Sequence, residues 1–252
     1  MNLVIDLGNT MIKFGLFEQE RLIKTFLVNT DRNKSEDEYL IIIRSLIGDE
    51  LKIEGAIISS VVPTLTLNIT NAIKKLYGIE CLIVSKNLKT KMAIKIDNPN
   101  ELGADMLVGA IGAHKKYGNS LLVCDVGTAT KIYIIDKNGA FNGGIITTGL
   151  VASLKSLVSS TSLLLEVPLV APKKYIGRNT KDCIQSGVVL GQALMIQEFA
   201  KKFETELGYG LKKIITGGFC KVFSENLEDF IFDNDLTLEG LSEVFKLNSY
   251  EK

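Results

Sequence analysis

Leu3-Val4-Ile5-Asp6-Leu7-Gly8-Asn9-Thr10 decides the fold, because its pattern returns as Leu122-Val123-Cys124-Asp125-Val126-Gly127-Thr128. Each copy is an apolar strand pattern that ends in Asp-x-Gly and small hydroxyl or amide residues. Each runs on into a second apolar stretch (11–17 and 131–135), a turn (Glu18-Gln19-Glu20 and Lys137-Asn138-Gly139) and a third stretch (22–28 and 140–147). Two three-stranded antiparallel meanders are therefore predicted, one opening each half.

Beyond each meander the pattern alternates. Helices are predicted over 35–47, 64–77, 100–116, 151–159, 180–207 and 238–246, and strands over 56–60, 81–84 and 213–216. Strands alternating with helices imply an α/β fold, with mixed sheets covered by helices. The turn Tyr117-Gly118-Asn119 separates the repeats, so half-domains 1–117 and 118–252 are expected. A generic duplicated α/β protein is the plainer alternative for the echo, and the loops must decide the chemistry.

Composition narrows the classes of function. Lys plus Arg and Asp plus Glu both number 29, so no net field draws a polyanion, and nucleic acid is not an expected partner. The single His114 lies in a helical pattern and reads as a structural residue; one His cannot supply a His-rich zinc site or a Ser-His-Asp triad. The four Cys are scattered without a CxxC pair, and Cys124 sits inside an apolar run, which suggests a reducing compartment. Met1 to Thr10 lacks a basic segment followed by a long apolar core, and no apolar run is of membrane-spanning length. The expectation is a soluble cytoplasmic protein with no membrane partner.

In 6–10, Gly8 lets the backbone approach an anion, while Asn9, Thr10 and Lys13 offer side-chain donors. A carboxylate at that place repels phosphate directly, so Asp6 is expected to work through Mg²⁺ or its water shell. Asp125-Val126-Gly127-Thr128-Ala129-Thr130 repeats that chemistry. Two such loops opening onto one cleft would suit phosphoryl transfer, which needs positioned oxygens and neutralised charge. An Asp-Gly hairpin turn is the plainer reading of each loop. No GxxxxGK[ST] loop or kinase-type GxGxxG set is present. Between the loops, Asp97-Asn98-Pro99-Asn100-Glu101-Leu102-Gly103-Ala104-Asp105-Met106 places Asp105 in the second turn of a predicted helix. Apolar neighbours would partly desolvate that carboxylate and suit it to act as a general base; a solvent-facing helix Asp is the alternative.

These stations, in this order, resemble the type III pantothenate kinases along nearly the whole chain. DLGNT at 6–10 is similar to that family's first phosphate loop, NPNELGAD at 98–105 to its NPxExGADR segment, and DVGTAT at 125–130 to its second phosphate loop. Gly143-Gly144-Ile145 with Gly149 resembles its GGxIxPG turn, and Gly177-Arg178-Asn179-Thr180 with Gly187 and Gly191 resembles its GxNT helix start. The resemblance implies a duplicated actin-like (ribonuclease H-like) fold, a dimer, and transfer of the ATP γ-phosphate to pantothenate. Mg²⁺ and a monovalent cation (K⁺ or NH₄⁺) would be cofactors. It implies Asp105 as the base, Asp6 and Asp125 as metal and phosphate residues, and Gly8, Asn9, Thr10, Lys13, Gly127, Thr128, Ala129 and Thr130 as nucleotide contacts. Ile96, Gly103, Asp105 and Met106 would line the pantothenate site, with Thr180 reaching it across the dimer interface.

The departures fall on the acceptor side. Met106 stands where the family has Arg, Ile96 where it has Tyr and Thr148 where it has Pro, while Lys131 and Tyr133 replace a Thr and a carboxylate. Met cannot supply the donors a carboxylate needs. The resemblance therefore carries an alternative: a catalytically impaired subunit that pairs with an intact paralogue as a heterodimer.

Overall fold

The computed structural model describes residues 1–48, 50–85 and 87–249. Alternation sorts the first strand, β1 (Asn2–Leu7), by face: Leu3, Ile5 and Leu7 enter one core, while Val4 lies on the other side. β2 (Met11–Glu18) and β3 (Arg21–Asn29) complete an antiparallel meander, and β4 (Gly55–Ser60) and β5 (Cys81–Ile83) add in parallel, in the order β3-β2-β1-β4-β5. α1 (Glu36–Ile47) packs Tyr39 and Ile43 against Leu3 and its partners, and α2 (Pro63–Tyr77) adds Leu65, Ile69 and Ile73 to the same cluster. Ser35 and Glu38 form a reciprocal capping box that starts α1, and Pro63 opens α2 at a position that needs no N–H.

α3 (Ala104–Tyr117) begins later than the periodicity predicts. Pro99–Glu101 form a separate 3₁₀ turn because the Asn98 side chain accepts from the Asn100 N–H at 3.1 Å and donates to Glu101 at 2.8 Å. That local bonding competes with the helix, and Leu102 leaves the turn extended. Asp105 consequently stands in the first turn of α3, not the second.

The second sheet repeats the first. β6 (Leu121–Val126), β7 (Ala129–Ile135) and β8 (Phe141–Thr148) form the meander, and β9 (Lys212–Thr216) and β10 (Ile231–Phe232) add in parallel. Its order, β10-β9-β6-β7-β8, is the first topology read from the opposite edge. Leu122, Cys124 and Val126 join Val189, Ala193 and Ile196 in its core, where burial pushes the Cys124 thiol well up and leaves it inert. α4 (Leu150–Ser159), α5 (Thr180–Gln185) and α6 (Gly191–Leu207) follow. The helix predicted over 180–207 is thus interrupted by a π turn, Ser186–Leu190, and β10 is a short strand that the sequence pattern did not signal.

Two compact units result: Met1–Met92 with Asp97–Lys116 and Asp235–Lys252, and Ala93–Ile96 with Tyr117–Asn234. They differ from one cut at 117/118. The last helix, α7 (Leu236–Ser249), belongs to the first unit because two glycines let it meet α3 backbone to backbone. A Cβ on Gly112 would strike the Leu236 carbonyl, and one on Gly240 would strike that of Val108. The segment 93–96 belongs to the second unit because the Lys95 N–H donates to the Phe141 carbonyl and the Phe141 N–H to the Ala93 carbonyl, both at 2.8 Å, and because Lys95 pairs with buried Asp136 at 2.6 Å.

Candidate active site

In each unit the Asp of the Asp-x-Gly motif sits at the end of the central strand, flanked by the same chemistry. Asp6 is in register with Lys13 on β2 and Ser59 on β4; Asp125 is in register with Lys131 on β7 and Thr216 on β9. A lysine on one side and a hydroxyl on the other is an internal echo that spans the sheet as well as the chain.

The first loop is Gly8-Asn9-Thr10, closed by the Gly8 N–H on the Met11 carbonyl at 3.0 Å. Thr30 secures it twice, donating its hydroxyl to the Gly8 carbonyl at 2.7 Å and its N–H to the Thr10 carbonyl at 2.9 Å. Asn9 and Thr10 are exposed, Asp6 is half-buried, and the Lys13 ammonium pairs with Asp235 at 2.9 Å. Ser59, the register partner of Asp6, has a fully buried hydroxyl with no hydrogen-bond partner. A half-exposed carboxylate beside an unsatisfied oxygen suits hydrated Mg²⁺, which takes one or two protein carboxylates and completes its shell with water and phosphate oxygens.

The second loop is tighter: Gly127 and Thr128 alone join β6 to β7, and the Gly127 N–H bonds the Ala129 carbonyl at 3.1 Å. The Thr128 carbonyl accepts from the Gly149 N–H at 3.2 Å, so the loop abuts the N-terminal end of α4. Thr130 is fully buried and its hydroxyl has no partner. Asp125 does not stand open: its Oδ2 pairs with the Lys131 ammonium at 2.9 Å, and Gly217 crowds its Oδ1, where a Cβ would lie 2.7 Å away. Gly217 also has φ +98, a conformation that favours glycine.

Asp105 is half-buried, and its Oδ1 accepts from the Met106 N–H at 2.9 Å. Gly103 makes room for it, since a Cβ there would come within 2.7 Å of the same oxygen. Met106 is buried at 9% exposure, so the residue in the arginine's place turns into the fold. Ile96 is half-buried in the second unit, with its Cγ2 at 3.8 Å from the Cβ position of Gly143. Thr180 is exposed at the start of α5, which Asn179 caps by accepting from the Asp182 N–H at 2.9 Å.

Residue patterns missed three participants. Arg32 donates to the Asn9 side chain at 2.8 Å and brings a guanidinium to the first loop. Gln192 donates to the Thr148 carbonyl at 2.9 Å and holds the chain that enters α4. Gly217 had a readable signal, the Gly-Gly pair that closes the strand pattern ending at Thr216. Among the described residues, no cluster of three or more His, Cys, Asp or Glu side chains is present, and no helix is long and apolar enough to cross a membrane.

Duplicated meander sheets with an acidic glycine loop in each define the actin-like class of phosphotransferase folds. In keeping with this, a solved Sinorhizobium meliloti structure described as a candidate 2-dehydro-3-deoxygalactonokinase superposes with a TM-score of 0.61 at 12% identity, covering 100% of both chains. The type III pantothenate kinase family model matches residues 2–202. The chain is 36% identical to a type III pantothenate kinase of Halalkalibacterium halodurans, covering 98% of this chain and 100% of that one. It is 39% identical to a type III pantothenate kinase of Acholeplasma laidlawii, covering 98% and 99%. The chain belongs to the type III pantothenate kinase family.

Proposed function

We infer that this protein transfers the γ-phosphate of ATP to pantothenate, forming 4′-phosphopantothenate, the first step towards coenzyme A. The observation that carries this reading is the family match along the chain. Asp105 is the general base. Its first oxygen is held by the Met106 N–H, which fixes the carboxylate's orientation, and the half-buried setting keeps it reachable. It takes the proton of the pantothenate hydroxyl as that oxygen bonds to the γ-phosphorus, and the bond to the β–γ bridging oxygen breaks to release ADP.

Gly8, Asn9, Thr10, Lys13, Gly127, Thr128 and Ala129 bind the nucleotide phosphates, while Thr130, fully buried, backs the second loop and does not meet the ligand. The N-terminal end of α4 beside the second loop supports this, because helix N-termini favour anions. Asp6 would hold Mg²⁺, which would supply charge neutralisation for the phosphate oxygens. The protein works in the cytoplasm as a dimer of identical chains. Leu163, Leu165 and Ile176, in the stretch between α4 and α5 that leads to Thr180, are more than three-quarters exposed, which supports a second copy covering that stretch and Thr180 reaching the acceptor from it. Incubating the full chain with ATP, Mg²⁺ and pantothenate should yield ADP and 4′-phosphopantothenate in equal amounts. Turnover of another alcohol with none of pantothenate would overturn the assignment.

A further inference from the structure

Asp125 poses a conflict. The family resemblance implies a metal ion and a monovalent cation beside it, yet this chain already places a cation there. Asp125 and Lys131 face each other across an antiparallel pair, where partner side chains share one face. Their charged groups meet at 2.9 Å, and the side chains are only 26% and 15% exposed. The other carboxylate oxygen lies against Gly217, at a spot where even a methyl group would collide. A cation at that oxygen would therefore have to displace an ammonium from a largely buried carboxylate. In the first unit Lys13 occupies the equivalent register position opposite Asp6, and its ammonium pairs with Asp235 at 2.9 Å.

We propose that Lys131 is the built-in cation of the second loop, taking the place of a monovalent ion at Asp125, so that nucleotide binding by this protein needs no added K⁺ or NH₄⁺. A lysine ammonium is a compact point charge on a flexible stem, suited to this role. Tethered to β7, it holds the Asp125 carboxylate and offsets the charge of phosphate oxygens at Gly127 and Thr128. The inference rests on the reading that this loop binds nucleotide phosphates.

Calorimetric titration of ATP-Mg²⁺ into the full chain, in tetramethylammonium buffer and then with saturating K⁺, separates the two. The wild type is expected to bind with affinities agreeing within about twofold in the two buffers, and Lys131→Arg to behave alike. Lys131→Thr, which keeps a strand-forming residue and opens space, should bind about ten- to a hundredfold more weakly without K⁺, the scale of one charge-assisted hydrogen bond, and recover on adding K⁺. Tightening of wild-type binding by K⁺ of about tenfold or more, or undiminished K⁺-free binding by Lys131→Thr, would overturn the proposal; the wild-type arm decides alone if that variant does not fold. Absence of ATP binding in both buffers would defeat the phosphate-loop reading itself, and the proposal with it.

Discussion

Replacing Asp105 with Asn tests the base while disturbing little else. Asn is isosteric, and its carbonyl oxygen can still accept the Met106 N–H that Asp105 accepts at 2.9 Å, while Gly103 leaves the same space. Asp105 is half-buried and Asn keeps its size and its acceptor, so the fold should lose no more than about 1 kcal/mol. Catalysis should suffer far more. A positioned general base contributes about 10²–10⁴-fold, equivalent to about 2.7–5.4 kcal/mol of barrier. The loss should fall on kcat, with the Kd for ATP-Mg²⁺ unchanged, because the proton moves only in the transition state. Coupled measurement of ADP release under saturating substrates reads kcat, and thermal unfolding reads the fold. Gly103→Ala should lower kcat as well, since its Cβ would push on the Asp105 carboxylate from 2.7 Å. An Asp105→Asn enzyme with wild-type kcat would refute the role outright.

The acceptor side gives a second test: Met106→Arg combined with Ile96→Tyr is expected to raise pantothenate affinity about ten- to a hundredfold by calorimetry, and unchanged affinity would mean other donors already serve the acceptor. The same variant should melt lower than wild type, because Met106 is buried and an arginine must force its charge outward. Gly240→Ala should destabilise the chain by about 1–3 kcal/mol in denaturant titration, since its methyl would collide with the Val108 carbonyl and part α7 from α3. Burial pushes the Asp136 carboxyl up, but Lys95 and the Ala140 and Asn138 amides outweigh it and hold the group below the usual carboxylate range. A depressed folded value means stability that is present above the unfolded pKa of about 3.9 and lost as pH falls through the folded one. Asp136→Asn should therefore cost about 1.5–3 kcal/mol at neutral pH and flatten the acid limb of the stability profile; an unchanged acid limb would refute this account.

Local patterns were legible because they depend on neighbours in the chain. Strand alternation into Asp-x-Gly and the turn residues between meander strands act over a few residues, so both Asp-x-Gly loops could be placed from sequence. The resemblance then attached chemistry to them. Asp105 was set one turn too deep in its helix, because the Asn98 side chain closes its own turn and delays the helix start. What the sequence could not determine rests on pairings made far along the chain. α7 joins the first unit because Gly112 and Gly240 permit a backbone approach between segments more than a hundred residues apart, and no local propensity reports such a contact. Lys13 and Lys131 look equivalent as letters, and nothing in the letters shows that Lys13 meets Asp235, far along the chain, at 2.9 Å. Charge partners are chosen by distance in the folded sheet, and only the tertiary structure supplies those distances.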